Sequence, residues 1–126
     1  MTESALHILV VENHEDTLQA LKIYLEQSGH RVDCVRTLAQ AIEALSASDC
    51  DVLLSDIGLP DGSGWDLLKS ANVKRPLYAV AMSGFGTAAD LARSRAAGFR
   101  CQLVKPVDPD RLDNLLDEAA RERRAQ

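Results

Sequence analysis

Residues 51–68 read DVLLSDIGLPDGSGWDLL. Val52 to Ser55 form a short apolar run without alternation, as expected of a parallel strand covered on both faces. Asp56 follows directly, then Ile57-Gly58. Pro60, Asp61, Gly62 and Gly64 need only a structural reading: a turn in which glycine permits positive φ, with a helix starting at Trp65. Trp65, Leu67 and Leu68 read as core-facing positions.

Outward from this segment lie four more strand-sized apolar runs: His7 to Val11, Arg31 to Val35, Tyr78 to Met82 and Cys101 to Val104. The stretches between them have helical spacing. Leu38, Ala41, Ile42 and Leu45 mark one helix face, preceded by a capping-box pattern at Thr37 and Gln40. Asp108 reads as an N-cap, Pro109 as the first helical residue, and Leu112, Leu115, Leu116 and Ala119 as one apolar stripe. Strands separated by whole helices run parallel. The pattern predicts an α/β fold, a doubly wound five-stranded parallel sheet with five helices on its two faces. No linker, repeat or low-complexity stretch divides residues 1–126, which are read as one domain.

Composition narrows the function classes. Of 126 residues, 46% are hydrophobic and 26% charged, as in globular domains. Fourteen basic and nineteen acidic side chains give a net charge of -5, which disfavours direct nucleic-acid binding. The arginines 121, 123 and 124 alternate with Glu122 and read as a solvated helix end. Cys34, Cys50 and Cys101 show neither disulfide nor zinc spacing, and buried reduced thiols in a cytoplasmic protein are expected. No apolar run reaches the roughly 18 residues of a membrane span, and the N-terminus has no signal-peptide order.

In open parallel sheets a site forms beyond the carboxyl ends of the strands. Those ends carry Glu12 and Asn13, then Asp56, then Ser83 and Gly84, then Lys105-Pro106. Oxygen ligands with a negative sum suit a hard cation such as magnesium. A neighbouring lysine supplies a point charge for either Asp56 or a phosphoryl oxygen. The combination outlines a phosphoryl-transfer site. His7, His14 and His30 show no ligand spacing, and His14 reads as an exposed loop residue.

Four stretches, ILVVENHED (8–16), DVLLSDIGLPDGSGWDLL (51–68), AVAMSGFG (79–86) and LVKPVDPDRL (103–112), resemble the response-regulator receiver domains of two-component signalling. The resemblance spans almost the whole chain and implies the flavodoxin-like strand order 2-1-3-4-5. It implies that Asp56 is the phosphoacceptor, taking a phosphoryl group from a phosphohistidine on a histidine kinase or histidine phosphotransfer protein. Glu12, Asn13, Asp56 and the Gly58 carbonyl would hold Mg2+ or Mn2+, while Ser83 and Lys105 would bond the phosphoryl group. Such a module catalyses only its own phosphorylation and dephosphorylation. Its last two helices imply an output face for a downstream protein, compatible with a phosphorylation-dependent homodimer.

Several positions depart from the family pattern. Asn13 stands where a carboxylate is usual, so weaker metal binding is expected. Gln102 stands where many receivers carry a tyrosine or phenylalanine, so the signal is expected to be read differently. The helix over Ala88 to Ala97 offers only Leu91 as a large apolar anchor and should shift at low cost. Gly58 and Gly84 leave the phosphoryl group unshielded, predicting a short-lived acyl phosphate. The competing reading is a receiver-like interaction module that works without phosphorylation. A haloacid-dehalogenase-type phosphatase lacks its second aspartate, since position 58 is glycine, and an acidic loop after the first strand disfavours a flavodoxin-like cofactor binder. The chain ends just after the fifth helix, as expected of a stand-alone regulator or a receiver excised from a larger protein such as a hybrid kinase.

Overall fold

Successive side chains of a strand point to opposite faces, and here both faces need cover. In β1 (His7–Val11), Ile8 and Val10 join one apolar cluster while Leu9 and Val11 join another, and all four are fully buried. The computed structural model describes residues 5–73, 76–84 and 86–125. Residues 1–4 and Phe85 of the AVAMSGFG stretch lie outside the described residues.

The central sheet contains β2 (Arg31–Val35), β1, β3 (Val52–Asp56), β6 (Tyr78–Ser83) and β7 (Cys101–Val104) in the order β2-β1-β3-β6-β7, all parallel. This is the expected 2-1-3-4-5 order, with two labels displaced by a two-stranded antiparallel pair, β4 (Gly58–Leu59) and β5 (Gly62–Ser63). Helices α1 (Glu15–Gln27) and α5 (Pro109–Arg124) cover one face through Leu18, Leu21, Leu25, Leu112, Leu115 and Leu116. Helices α2 (Leu38–Ala47) and α3 (Leu67–Ser70) cover the other through Ala41, Leu45 and Leu67. Thr37 and Asp108 cap α2 and α5 as their sequences predict, although the Gln40 side chain reaches back to the Arg36 amide, one residue before the cap.

The structure corrects several expectations. Asp56 and Ser83 end their strands instead of following them, because Asp56 still pairs with Met82 and Ser83 with Val104. A 3-10 turn at Gly64–Asp66 precedes α3, so no α-helix starts at Trp65. Of the turn glycines, Gly62 has positive φ and Gly64 does not. Cys50 is buried, whereas Cys34 and Cys101 are half-buried because they lie on the two edge strands. Leu91 is no anchor for α4 (Ala88–Ala96): it is 42% exposed, and the buried residue of that helix is Ser94.

One histidine makes the fold sensitive to acid. His30 Nδ1 accepts the Leu6 amide proton at 3.1 Å, so the ring must be neutral on that nitrogen. Burial holds its pKa below the ordinary 6.5, against the opposing charges of Asp113 and Asp117. The native state therefore binds fewer protons than the unfolded chain as pH falls below about 6.5, and stability drops there. Losing one such bond costs about 1 kcal/mol. Urea unfolding of the parent at pH 7.5 and 5.5 should show this decline, and in His30→Gln the decline should be smaller by about that amount.

Candidate functional site

Parallel strands end on one edge, and the backbone ladder continues past those ends here. The Glu12 amide donates to the Val35 carbonyl at 3.1 Å, Ile57 to Met82 at 3.2 Å and Lys105 to Ser83 at 2.7 Å. Each functional side chain thus projects from a backbone segment already fixed by its neighbour strand.

Glu12, Asp56 and Lys105 come together. Lys105 Nζ donates to Asp56 Oδ2 at 3.0 Å and to a Glu12 carboxylate oxygen. The Glu12 side chain is 1% exposed and also accepts the His14 amide proton at 3.0 Å. Burial, with the Glu12 charge adding to it, pushes the Asp56 carboxyl above its usual range although Lys105 pulls it down. Burial would lower the Lys105 pKa, but the two carboxylates outweigh it and hold the ammonium above its usual range. Two carboxylates facing one ammonium leave an unbalanced negative charge in a poorly hydrated place.

Ser83 is buried at 9% exposure, one residue beyond the partner of Asp56, and its carbonyl anchors the Lys105 amide. Asn13 is exposed, and the structure holds it by its backbone: Arg36 Nη2 donates to the Asn13 carbonyl at 3.1 Å while Nη1 donates to Glu15 at 2.6 Å. Gly58 is exposed in β4. A Cβ on Gly58 or on Gly84 would meet nothing within 4 Å. Among the described residues no three His, Cys, Asp or Glu side chains gather as a metal site, consistent with an amide at position 13. The oxygen donors available at this edge, two carboxylates, an amide and a main-chain carbonyl, match a hard divalent cation, and the excess negative charge already draws in Lys105.

Sequence reading missed three supports. His14 caps α1, its Nδ1 lying 3.0 Å from Thr17 Oγ1. Arg36 clamps the loop after β1, with no local sequence signal for it. Asp61 is more than a turn residue: its carboxylate accepts the Leu38 and Ala39 amide protons at 2.7 and 3.0 Å, and these bonds hold its pKa below the usual range. The acid type in a turn was the available signal, but its partner is 23 residues away.

Gly64 is required for close approach. Its amide donates to the Ile57 carbonyl at 2.7 Å, and a Cβ there would lie 2.2 Å from the Asp56 carbonyl oxygen. Because that obstacle is backbone, Gly64→Ala should destabilise the protein by about 1–3 kcal/mol, measured by urea unfolding, with Gly58→Ala as the nearly neutral control.

Residues 8–117 match the sequence profile of the response regulator receiver domain. The chain is 32% identical over 121 residues to the sensory/regulatory protein RpfC of Xanthomonas campestris pv. campestris, covering 91% of this chain and 17% of that protein. It thus spans less than a fifth of that relative's length. A two-component response regulator from Clostridium difficile superposes with a TM-score of 0.85 at 26% identity, covering 92% of this chain and 96% of that one. The receiver domain of sensor histidine kinase PA1611 from Pseudomonas aeruginosa PAO1, solved with a magnesium ion in its active-site cleft, shares the fold with a TM-score of 0.83 at 23% identity, covering 92% and 98%. No helix among the described residues is long and apolar enough to cross a membrane.

Proposed function

The chain belongs to the response regulator receiver domain family of two-component signalling, and on that premise we propose that it accepts a phosphoryl group on Asp56 from a phosphohistidine. The observation that carries this reading is the Asp56 carboxylate bonded to Lys105 beside the buried Glu12. An Asp56 carboxylate oxygen attacks phosphorus, the P–N bond to the donor imidazole breaks, and an acyl phosphate forms. Lys105 turns from its carboxylate partners to the oxygens of the transferring group, and the Ser83 hydroxyl donates to one of them. Glu12, Asp56, the Asn13 amide and the Gly58 carbonyl are the residues that would hold a magnesium ion, which supplies charge neutralisation for the transfer. With open space around Gly58 and Gly84, water reaches the phosphorus and the acyl phosphate is short-lived.

The donor is a histidine kinase or histidine phosphotransfer protein. An apolar groove between α1 and the start of α5, lined by Ala20, Leu21, Tyr24, Val107 and Leu112, opens beside Lys105 and suits a donor helix that carries the phosphohistidine. The downstream partner reads α4 and α5.

Two measurements test this. Asp56→Asn should abolish incorporation of acid-labile phosphate from a small-molecule phosphodonor with magnesium while leaving the circular dichroism spectrum unchanged; label persisting in the variant would remove Asp56 from the role. Asn13→Asp restores a ligand charge, and calorimetric titration should show magnesium binding roughly tenfold tighter, equivalent to about 1.4 kcal/mol. Unchanged affinity would mean that position 13 does not reach the ion.

A further inference from the structure

Helix α4 is fastened to the sheet in an unusual way. Of its nine residues only Ser94 is buried, at 1% exposure, and the large apolar Leu91 faces solvent. Ser94 Oγ donates to Gln102 Oε1 at 2.6 Å and accepts from Trp65 Nε1 at 2.9 Å. A serine hydroxyl has one proton, so the direction of this relay is set: indole to hydroxyl to amide oxygen. Arg93, the preceding residue of α4, adds its guanidinium over the indole ring, 3.9 Å from the centroid.

Both ends of the relay are continuous with the site. Trp65 follows Gly64, whose amide bonds the Ile57 carbonyl and on which a Cβ would lie 2.2 Å from the Asp56 carbonyl oxygen. Gln102, 7% exposed, lies on β7 three residues before Lys105. We propose that Ser94 is the positioning residue through which modification of Asp56 is transmitted to α4. The inference rests on Asp56 being the phosphoacceptor and concerns how that site is read out.

The physical argument is one of all-or-none contacts. A phosphoryl group adds a charge of about −1.5 to −2 and three acceptor oxygens. Lys105 must then leave Glu12, and the backbone beside Asp56 must make room. These shifts act on the two segments that carry Gln102 and Trp65. A buried hydroxyl at 2.6 and 2.9 Å from its partners does not stretch with them: the bonds are held or lost. With no apolar side chain to retain it, α4 leaves when they are lost, giving a clasped and a released state. Linkage makes the effect reciprocal, so removing the clasp favours the phosphorylated form of the site.

Trp65 is the only tryptophan, so its indole N–H gives a single nuclear magnetic resonance signal. The parent is treated with phosphoramidate and magnesium, and intact mass gives the fraction modified. The expected result is a second indole signal growing in step with that fraction, with α4 amides exchanging at least about fivefold faster in the modified protein. In Ser94→Ala the signal should stand at the released position before any donor is added and remain there after modification. That variant should also bind beryllofluoride, a phosphoryl mimic, about fivefold more tightly. If Ser94→Ala does not fold, Gln102→Leu removes the acceptor while filling the space and carries the same comparison. A mass gain with the parent indole signal and α4 exchange unchanged overturns the proposal while sparing the phosphoacceptor. No mass gain on Asp56 overturns both.

Discussion

Two carboxylates, Glu12 and Asp56, are carried to one edge by neighbouring parallel strands and share one ammonium, Lys105, from a third position on that edge. The rest of the arrangement answers to that shortage of positive charge. Each carboxylate could be protonated or solvated in an open loop, but Glu12 is closed off from water and Asp56 is partly buried. The ladder bonds that extend each strand by a residue keep the three groups from relaxing apart. A site held in this state favours whatever brings compensating positive charge.

The two sides of the sheet are built differently. The face under α1 and α5 is packed with long aliphatic side chains, among them Leu18, Leu21, Leu25, Leu112 and Leu116. The other face has Ala41, Ala79 and Ala81 beside fewer large residues, and α4 contributes only a hydroxyl to the buried layer. Burial of a leucine contributes about 1.5–3 kcal/mol, against about 0.5–1.5 for a net hydrogen bond. Stability is therefore concentrated at α1 and α5, leaving α4 on the side where movement costs least.

Strand identity was legible because Ile8 to Val11 and Val52 to Leu54 are short and apolar on both faces, a pattern that fits a covered parallel strand. Because these strands are separated by helices and so run parallel, the edge bearing Glu12, Asp56, Ser83 and Lys105 followed. Asp61 on the α2 terminus, Arg36 on the Asn13 carbonyl and Ser94 between Trp65 and Gln102 were not legible. Each joins residues many positions apart through a polar side chain whose local sequence admits several partners. Leu91 was misplaced for a related reason: periodicity identifies the most apolar residue of a helix, but a helix held by hydrogen bonds need not bury it. At Gly64 the turn reading rests on positive φ, but crowding against Asp56 and not its own φ excludes a side chain there.

The Asp61 cap ties the start of α2 to the turn that follows Asp56. These two segments are separate in sequence but form one inheritable unit. A chimera that imports a foreign turn at residues 57–64 also imports, or deletes, the anion that starts α2, and with it the packing of Ala41 and Leu45 beneath the sheet. The portable module in this protein is turn plus helix, and recombination boundaries placed between them would cut through a single structural part.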